Sequence, residues 1–192
     1  MLFISPPFGN YINLPNTTQI KGSFTLEPRY GLISQILKTL RYSYEYNGWI
    51  NKIGLRNMGI DYAVKNYNTK DVYSIAIMNP NDIEIIQKKI PKNMNIEINI
   101  SCPNAEKKMV HDGLKGFLNN ERKWCIIKLS PLSNINLVDQ YYKEGFRQFH
   151  CSNTLPIKEG GLSGKTLIPY NNNLIKNIKS KYNDVEIISG GG

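Results

Sequence analysis

VYSIAIMNPNDIEIIQKKIPKNMNIEINIS, residues 72–101, holds the pattern that decides the fold. Its first run, VYSIAIM (72–78), and its last, NIEINIS (95–101), are rich in β-formers and read as strands. Between them Ile83, Ile86 and Ile90 share one face of a helix that starts after a cap at Asn81 or Asp82. One helix fills the interval, so the two strands are expected to run parallel. Apolar residues occupy nearly every position of VYSIAIM, as burial on both faces requires.

The same rhythm extends in both directions. Downstream, WCIIKLS (124–130), FRQFHCS (146–152) and VEIIS (185–189) read as strands. Val138, Tyr141 and Tyr142 mark one intervening helix, and Leu174, Ile175 and Ile178 mark another. Upstream, MLFIS (1–5) and TQIKGSF (18–24) are strand candidates, followed by a helix face at Ile33, Ile36, Leu37 and Leu40 and a polar, turn-rich region over 43–71. That makes seven strands in an α/β chain. Polar, chemically useful residues recur at the C-terminal ends of at least four of them, which favours a TIM (β/α)8 barrel over a doubly wound sheet with one crevice. A complete barrel needs about 200 residues or more. With 192 residues and a loop signal, Gly190-Gly191-Gly192, directly after the last strand, the expectation is an incomplete barrel of seven βα units. It is read as one domain over 1–192, lacking the C-terminal strand and helix.

Lys and Arg number 24 against 15 Asp and Glu, a net charge of +9. The basic residues are spread along the chain rather than gathered in a block, which argues against a nucleic-acid partner and suits small anionic ligands such as phosphates and carboxylates. No run approaches eighteen apolar residues, and MLFISPPFGNY has no basic region followed by a long apolar stretch. Neither membrane span nor signal peptide is therefore expected, and the default location is cytoplasmic. Cys102, Cys125 and Cys151 form no CxxC pair and only His111 and His150 accompany them, so no metal site is expected. Each cysteine is either a small core residue or a chemically used thiol.

The stretch Asn99-Ile100-Ser101-Cys102-Pro103-Asn104 closes a buried strand, with two carboxamides flanking a thiol. A carboxamide donates and accepts at once, which suits a ring bearing alternating N–H and C=O groups, and the thiol could move a proton. It equally suits a strand-to-loop turn whose asparagines satisfy backbone groups. In Asn51-Lys52-Ile53-Gly54-Leu55-Arg56-Asn57-Met58-Gly59 an Asn precedes a glycine turn whose N–H groups could cradle an anion, or simply a polar loop. Lys128 stands near the end of an otherwise apolar strand, where it calls for an anionic partner or a route to solvent. Ser152-Asn153-Thr154 adds an amide and two hydroxyls after the next strand. Gly160-Gly161-Leu162-Ser163-Gly164 and Ser189-Gly190-Gly191-Gly192 read as glycine-rich loops, either phosphate-binding or plain turns.

NISCPN, NKIGLRNMG, KLSP, SNT, GGLSG and SGGG, each at an expected strand end, together resemble the dihydroorotate dehydrogenase family of flavin-dependent barrels over nearly the whole chain. The resemblance implies FMN over the barrel mouth with dihydroorotate stacked on one face. Hydride would pass from C6 to flavin N5 while a base removes the C5 proton, giving orotate for pyrimidine (UMP) biosynthesis. Cys102 matches the family's catalytic base, a cysteine in the soluble class and a serine in the membrane-associated class. That role asks for a thiolate, against an ordinary thiol pKa of about 8.5. Asn51, Asn99, Asn104, Asn153 and Thr154, with the backbone at Ile53, Gly54 and Leu55, match substrate contacts, and Asn51 and Asn99 also match FMN contacts. Lys128 matches the lysine beside flavin N1 and the C2 carbonyl, where a cation stabilises the anionic reduced flavin. Ser23, Ser74, Ser152, Gly164, Gly191 and Gly192 match further FMN positions.

The chain departs from the family pattern in places. GSFT puts Gly22 where the family carries a lysine, with Lys21 one residue away and so on the other strand face. SPPFGN replaces a small-residue turn, and Ser189 stands where a glycine is usual. Lacking an eighth strand, the chain is expected to be a fragment of a longer reading frame with unpaired sheet edges and weak FMN affinity of its own. The alternatives are another FMN-dependent pyrimidine oxidoreductase or a truncated non-catalytic remnant. The electron acceptor stays open between fumarate, a nicotinamide cofactor reached through a partner subunit, and a quinone, while soluble family members imply a homodimer.

Overall fold

A computed structural model describes residues 1–100 and 113–191. Its first elements are β1 (Leu2–Ile4), β2 (Thr17–Phe24), α1 (Leu32–Thr39), β3 (Arg41–Ser43), β4 (Gly48–Asn51), α2 (Ile60–Lys65), β5 (Val72–Ala76) and α3 (Asp82–Lys89). There follow β6 (Ile96–Asn99), β7 (Cys125–Leu129), α4 (Ile135–Glu144), β8 (Gln148–Cys151), β9 (Leu155–Ile157), β10 (Gly160–Gly164), α5 (Ile168–Lys181) and β11 (Glu186–Ser189). The chain divides into two compact units, Met1–Tyr30 with Asn57–Ile127 and Gly31–Arg56 with Lys128–Gly192.

In the first unit the strand order is β1-β2-β5-β6-β7, with β1 on β2, β2 on β5 and β5 on β6 all parallel. Ile20, Val72, Ile75, Ile96, Ile98 and Ile126 are fully buried along these strands, as their near-continuous apolar runs require. Helix α3 covers them with Ile83 and Ile86. It carries Asp82 and Glu84 in its first turn and Lys88 and Lys89 in its last, matching the helix dipole at both ends. The extended Ile90 ends the helix ahead of Pro91, which disfavours the helical conformation in the residue before it.

The second unit holds the end of β7 and the parallel pair β8-β11, again in chain order. Helix α4 starts at Asn134, whose side chain accepts from the Leu137 N–H at 3.0 Å, and stops at Gly145 in the left-handed conformation. Val138 and Tyr141 of α4 and Leu174 and Ile178 of α5 are the buried apolar positions of these helices, at helical spacing. Neither strand order reverses, so the winding is that of a (β/α)8 barrel rather than a doubly wound sheet, and the α/β class is as the sequence implied. Seven parallel strands are among the described residues, one short of a full barrel. No helix of the described residues is long and apolar enough to cross a membrane.

The second unit also holds a four-stranded antiparallel sheet, β3-β4-β10-β9, which corrects the sequence reading in two places. The turn-rich region 43–71 contains β4 and α2, and GGLSG is a strand rather than a loop. Glycine serves close approach here. A Cβ on Gly48 would meet the Ser163 carbonyl oxygen at 2.4 Å, and one on Gly160 would meet that of Asn51 at 2.4 Å. Ile50, Leu155, Leu162 and Leu167 form a small core under this sheet. Helix α1 forms as expected, but it buries no residue, with Ile33 and Leu37 74% and 80% exposed.

Candidate active site

In the first unit the polar residues are assembled by an irregularity at the end of β2. Gly22 pairs with Ser74 and Phe24 with Ile75, so Ser23 is an extra residue in the ladder and its side chain is re-aimed. Gly22 sits at φ +115°, and a Cβ there would meet the Ser74 carbonyl oxygen at 2.5 Å. Asn10 clamps this residue from both sides, accepting from the Gly22 N–H at 2.8 Å and donating to its carbonyl at 3.1 Å.

The re-aimed Ser23 joins a row of buried polar side chains. Asn99 Nδ2 donates to Ser23 Oγ at 3.1 Å, Ser23 Oγ lies 2.8 Å from Ser74 Oγ, and Ser74 Oγ donates to Glu97 Oε1 at 2.7 Å. Ser74 and Glu97 are wholly inaccessible and Asn99 nearly so. Three residues expected at the site, Ser23, Ser74 and Asn99, thus meet one another. Glu97 was not among them, although its position carries a signal. It lies two residues before Asn99 in NIEINIS, so both side chains leave the strand on the same face.

Lys21, one residue from the family's lysine position, is engaged elsewhere, with its ammonium 2.7 Å from the buried Asp71 carboxylate. Burial alone would lower its pKa, but the hydrogen bond and charge of Asp71 outweigh that and hold it above the ordinary lysine value. Asn57, from NKIGLRNMG, ties the backbone together by accepting from the N–H groups of Thr25 at 3.1 Å and Gly59 at 2.7 Å.

In the second unit Asn51 closes β4. Its Nδ2 is 3.4 Å from the Gly161 carbonyl, and its Oδ1 accepts from the Ile53 N–H at 3.4 Å. The chain then turns through Gly54 and Leu55, both at positive φ. Lys128 is the penultimate residue of β7 and 7% exposed. The next residue's carbonyl, that of Leu129, accepts from Asn153 N–H at 2.9 Å, and Asn153 Oδ1 accepts from Thr154 N–H at 2.9 Å.

Ser152, directly after β8, donates to Asn171 Oδ1 at 2.6 Å, and Asn171 Nδ2 donates to the Gly190 carbonyl. Asn171 is a second residue the sequence reading passed over. It shares the buried face of α5 with Leu174 and Ile178, a spacing that marks an amide among core positions. The Gly164 N–H donates to the Gly191 carbonyl at 3.0 Å, a backbone link between two glycine segments.

Cys125 and Cys151 are buried thiols, and burial pushes each up to about 12. Both therefore stay protonated at neutral pH. Cys102, Asn104 and Gly192 lie outside the described residues.

These donor sets fit a flavin. Its ring edge alternates donors and acceptors, which the hydroxyls and carboxamide of the first unit suit, and it takes charge on reduction, which a buried lysine such as that of the second unit suits. The Gly190 backbone would not admit a side chain, since a Cβ there would lie 2.5 Å from His150 Nε2.

The family described as dihydroorotate dehydrogenase matches residues 10–192. Among curated proteins, the catalytic subunit of dihydroorotate dehydrogenase B (NAD(+)) from Petrotoga mobilis is 28% identical over 190 residues, covering 81% of this chain and 63% of that protein. The counterpart from Endomicrobium trichonymphae is 28% identical over 200 residues, covering 85% and 61%. That from Fusobacterium nucleatum is 36% identical over 101 residues, covering 47% and 30%. The chain therefore spans less than two thirds of the length of these relatives.

Proposed function

We propose, because the chain belongs to the dihydroorotate dehydrogenase family, that it serves the oxidation of dihydroorotate to orotate in pyrimidine biosynthesis with FMN as cofactor. FMN, when bound, supplies the acceptor for the hydride leaving C6. The chain's own residues bind, orient and move the proton. Cys102 takes the C5 proton onto Sγ. Lys128 sets a cation beside the flavin pyrimidine ring, where negative charge develops. Asn51, Asn99, Asn104 and Asn153, with Thr154 and the backbone of Ile53, Gly54 and Leu55, hold the substrate's amide and carboxylate groups. Ser23, Ser74, Ser152, Gly164, Gly191 and Gly192 serve FMN.

The observation that supports this most is the buried row Asn99–Ser23–Ser74, in which three residues that the resemblance assigns to ligands are hydrogen-bonded to one another. A row of hydroxyls and an amide, buried at Ser74 and Asn99 and half-buried at Ser23, suits a polar ring. The names of the Petrotoga and Endomicrobium relatives favour a nicotinamide acceptor reached through a partner subunit. A homodimer is part of the same proposal.

The test is anaerobic reduction of the FMN-loaded chain. Dihydroorotate is expected to bleach the flavin colour, dihydrouracil is not, and Cys102→Ser is expected to slow the bleaching by 100-fold or more at neutral pH. Bleaching by dihydrouracil in preference would make the chain a different pyrimidine oxidoreductase. A chain that takes up no flavin would be the non-catalytic remnant.

A further inference from the structure

Pairing of β1 with β2 runs from Leu2 and Thr17 to Ile4 and Gln19 and stops there. Three residues further along β2, a side chain takes up the backbone instead: Asn10 accepts from the Gly22 N–H at 2.8 Å and donates to the Gly22 carbonyl at 3.1 Å. A primary carboxamide carries a donor and an acceptor on one edge, so it can pair with both groups of one residue at once. Turned over, it would set donor against donor and acceptor against acceptor, which fixes the orientation observed. The preceding loop delivers the group. Gly9 is buried against both strands, where a Cβ would collide with the carbonyl oxygens of Ile4 and Ile20, and its N–H donates to the Ser5 carbonyl at 3.0 Å.

What Asn10 grips is the point at which the ladder slips. Gly22 is followed by the extra residue Ser23, whose Oγ accepts from Asn99 Nδ2 at 3.1 Å and lies 2.8 Å from Ser74 Oγ. We infer that Asn10 is a positioning residue: by holding both backbone groups of Gly22 it fixes where Ser23 places its hydroxyl, and it acts on a bound ligand through Ser23. The loop SPPFGN, which departs from the small-residue turn of the family, thus supplies with a side chain what a longer β1 would supply with backbone.

The inference rests on the proposed function only for FMN as the ligand, so one of two readouts needs no ligand. Leucine has nearly the shape of asparagine and pairs with neither backbone group, and Asn10 is exposed, so Asn10→Leu removes the grip without crowding a core. The first readout is the Asn99 side-chain NH2 signal in nitrogen-15 spectra of the ligand-free chain, identified by its loss in Asn99→Asp. Ser23→Ala, which deletes the acceptor, marks where that signal goes when the contact is broken. Asn10→Leu is expected to move it toward the same position and to add nothing once Ser23 is alanine. The second is FMN affinity by fluorescence quenching, which Asn10→Leu is expected to weaken about tenfold, with no further loss on top of Ser23→Ala. A signal that Asn10→Leu leaves in place, or affinity losses that add, overturn the inference, because Asn10 then does no more than fasten its own loop. A signal unmoved by Ser23→Ala overturns it too, since the contact it depends on is then not formed. Should Asn10→Leu fail to fold, Asn10→Asp, which keeps the acceptor and loses the donor, must move the signal in the same direction or the inference fails. If the wild type takes up no FMN, the proposed function falls and the Asn99 signal alone decides the role of Asn10.

Discussion

In β5 all five residues are buried, Ser74 among them, whereas in β10 only Leu162 of five is. The two strands belong to sheets that handle polar groups and glycine in opposite ways. Around β5 Ser74 and Glu97 are wholly inaccessible and Asn99 nearly so, and these side chains are hydrogen-bonded in a row through the half-buried Ser23. Around β10 the antiparallel ladder satisfies the backbone, and the sheet leaves large aromatic side chains in water. Tyr42, Tyr44 and Trp49 are 39%, 92% and 49% exposed and touch edge to face. Polar residues inside the parallel strands therefore point to chemistry, while glycines in the antiparallel sheet point to close packing.

The sharpest way to break this contrast is a methyl group at Gly22. At φ +115°, with the Ser74 carbonyl oxygen 2.5 Å from the added Cβ, Gly22→Ala must push β2 off β5, and a loss of about 3 kcal/mol or more is expected in chemical denaturation. Gly31, at φ +91° before α1, has nothing within 4 Å of the added atom, so Gly31→Ala carries only the conformational penalty of about 1–2 kcal/mol. Equal losses would mean that crowding at Gly22 is relieved by a small shift and the row is not tightly held.

The antiparallel sheet has its own weak point in Leu162, fully buried against Ile50, Leu155 and Leu167. Leu162→Ala is expected to cost about 2–3 kcal/mol, at the low end for a buried leucine because so small a cluster can close around the gap. A loss as large as that at Gly22 would show that this sheet is held as firmly as the parallel one.

Much of this was legible in the sequence. Runs such as VYSIAIM and WCIIKLS have few apolar gaps, so seven strands and their parallel sense followed from burial on two sides. The strands β3, β4, β9 and β10 were not legible, because each is three to five residues long and Gly48, Gly160, Gly161 and Gly164 read as turn signals when they mark contact distance. At the site, residue types at a strand end brought forward Asn99, while Ser23 and Ser74 came only from the resemblance to the family. Glu97 and Asn171 escaped because a charged residue inside a strand and an Asn in an NNN run read as solvated, although the two-residue step to Asn99 and the helical step to Leu174 place both among buried neighbours.

A smaller effect is expected at the entrance to the parallel sheet. Lys21 holds the buried Asp71, so Lys21→Met strands a carboxylate and is expected to cost about 1–2 kcal/mol at neutral pH. The pair also has a pH signature. Since Asp71 lifts the folded-state pKa of Lys21 above the ordinary 10.5, its contribution is complete below that value and is lost as pH rises through the raised one. The difference in unfolding free energy between wild type and variant should therefore shrink above about pH 10.5, and a difference that stays constant would show that Lys21 acts through packing alone.

The smallest effect tests how far periodicity can be trusted. Helices α1 and α4 both carry apolar residues at helical spacing, yet Val138 and Tyr141 of α4 are fully buried while Ile33 and Leu37 of α1 stand in water. Spacing fixes which residues share a face; whether that face is covered depends on what the rest of the chain brings to it. Ile33→Lys and Leu37→Lys, which leave helix propensity nearly unchanged, should each move stability by no more than about 0.5 kcal/mol in thermal melts of the dilute chain. A loss of about 2 kcal/mol or more would be the signature of a buried side chain and would mean that this face of α1 is covered in solution.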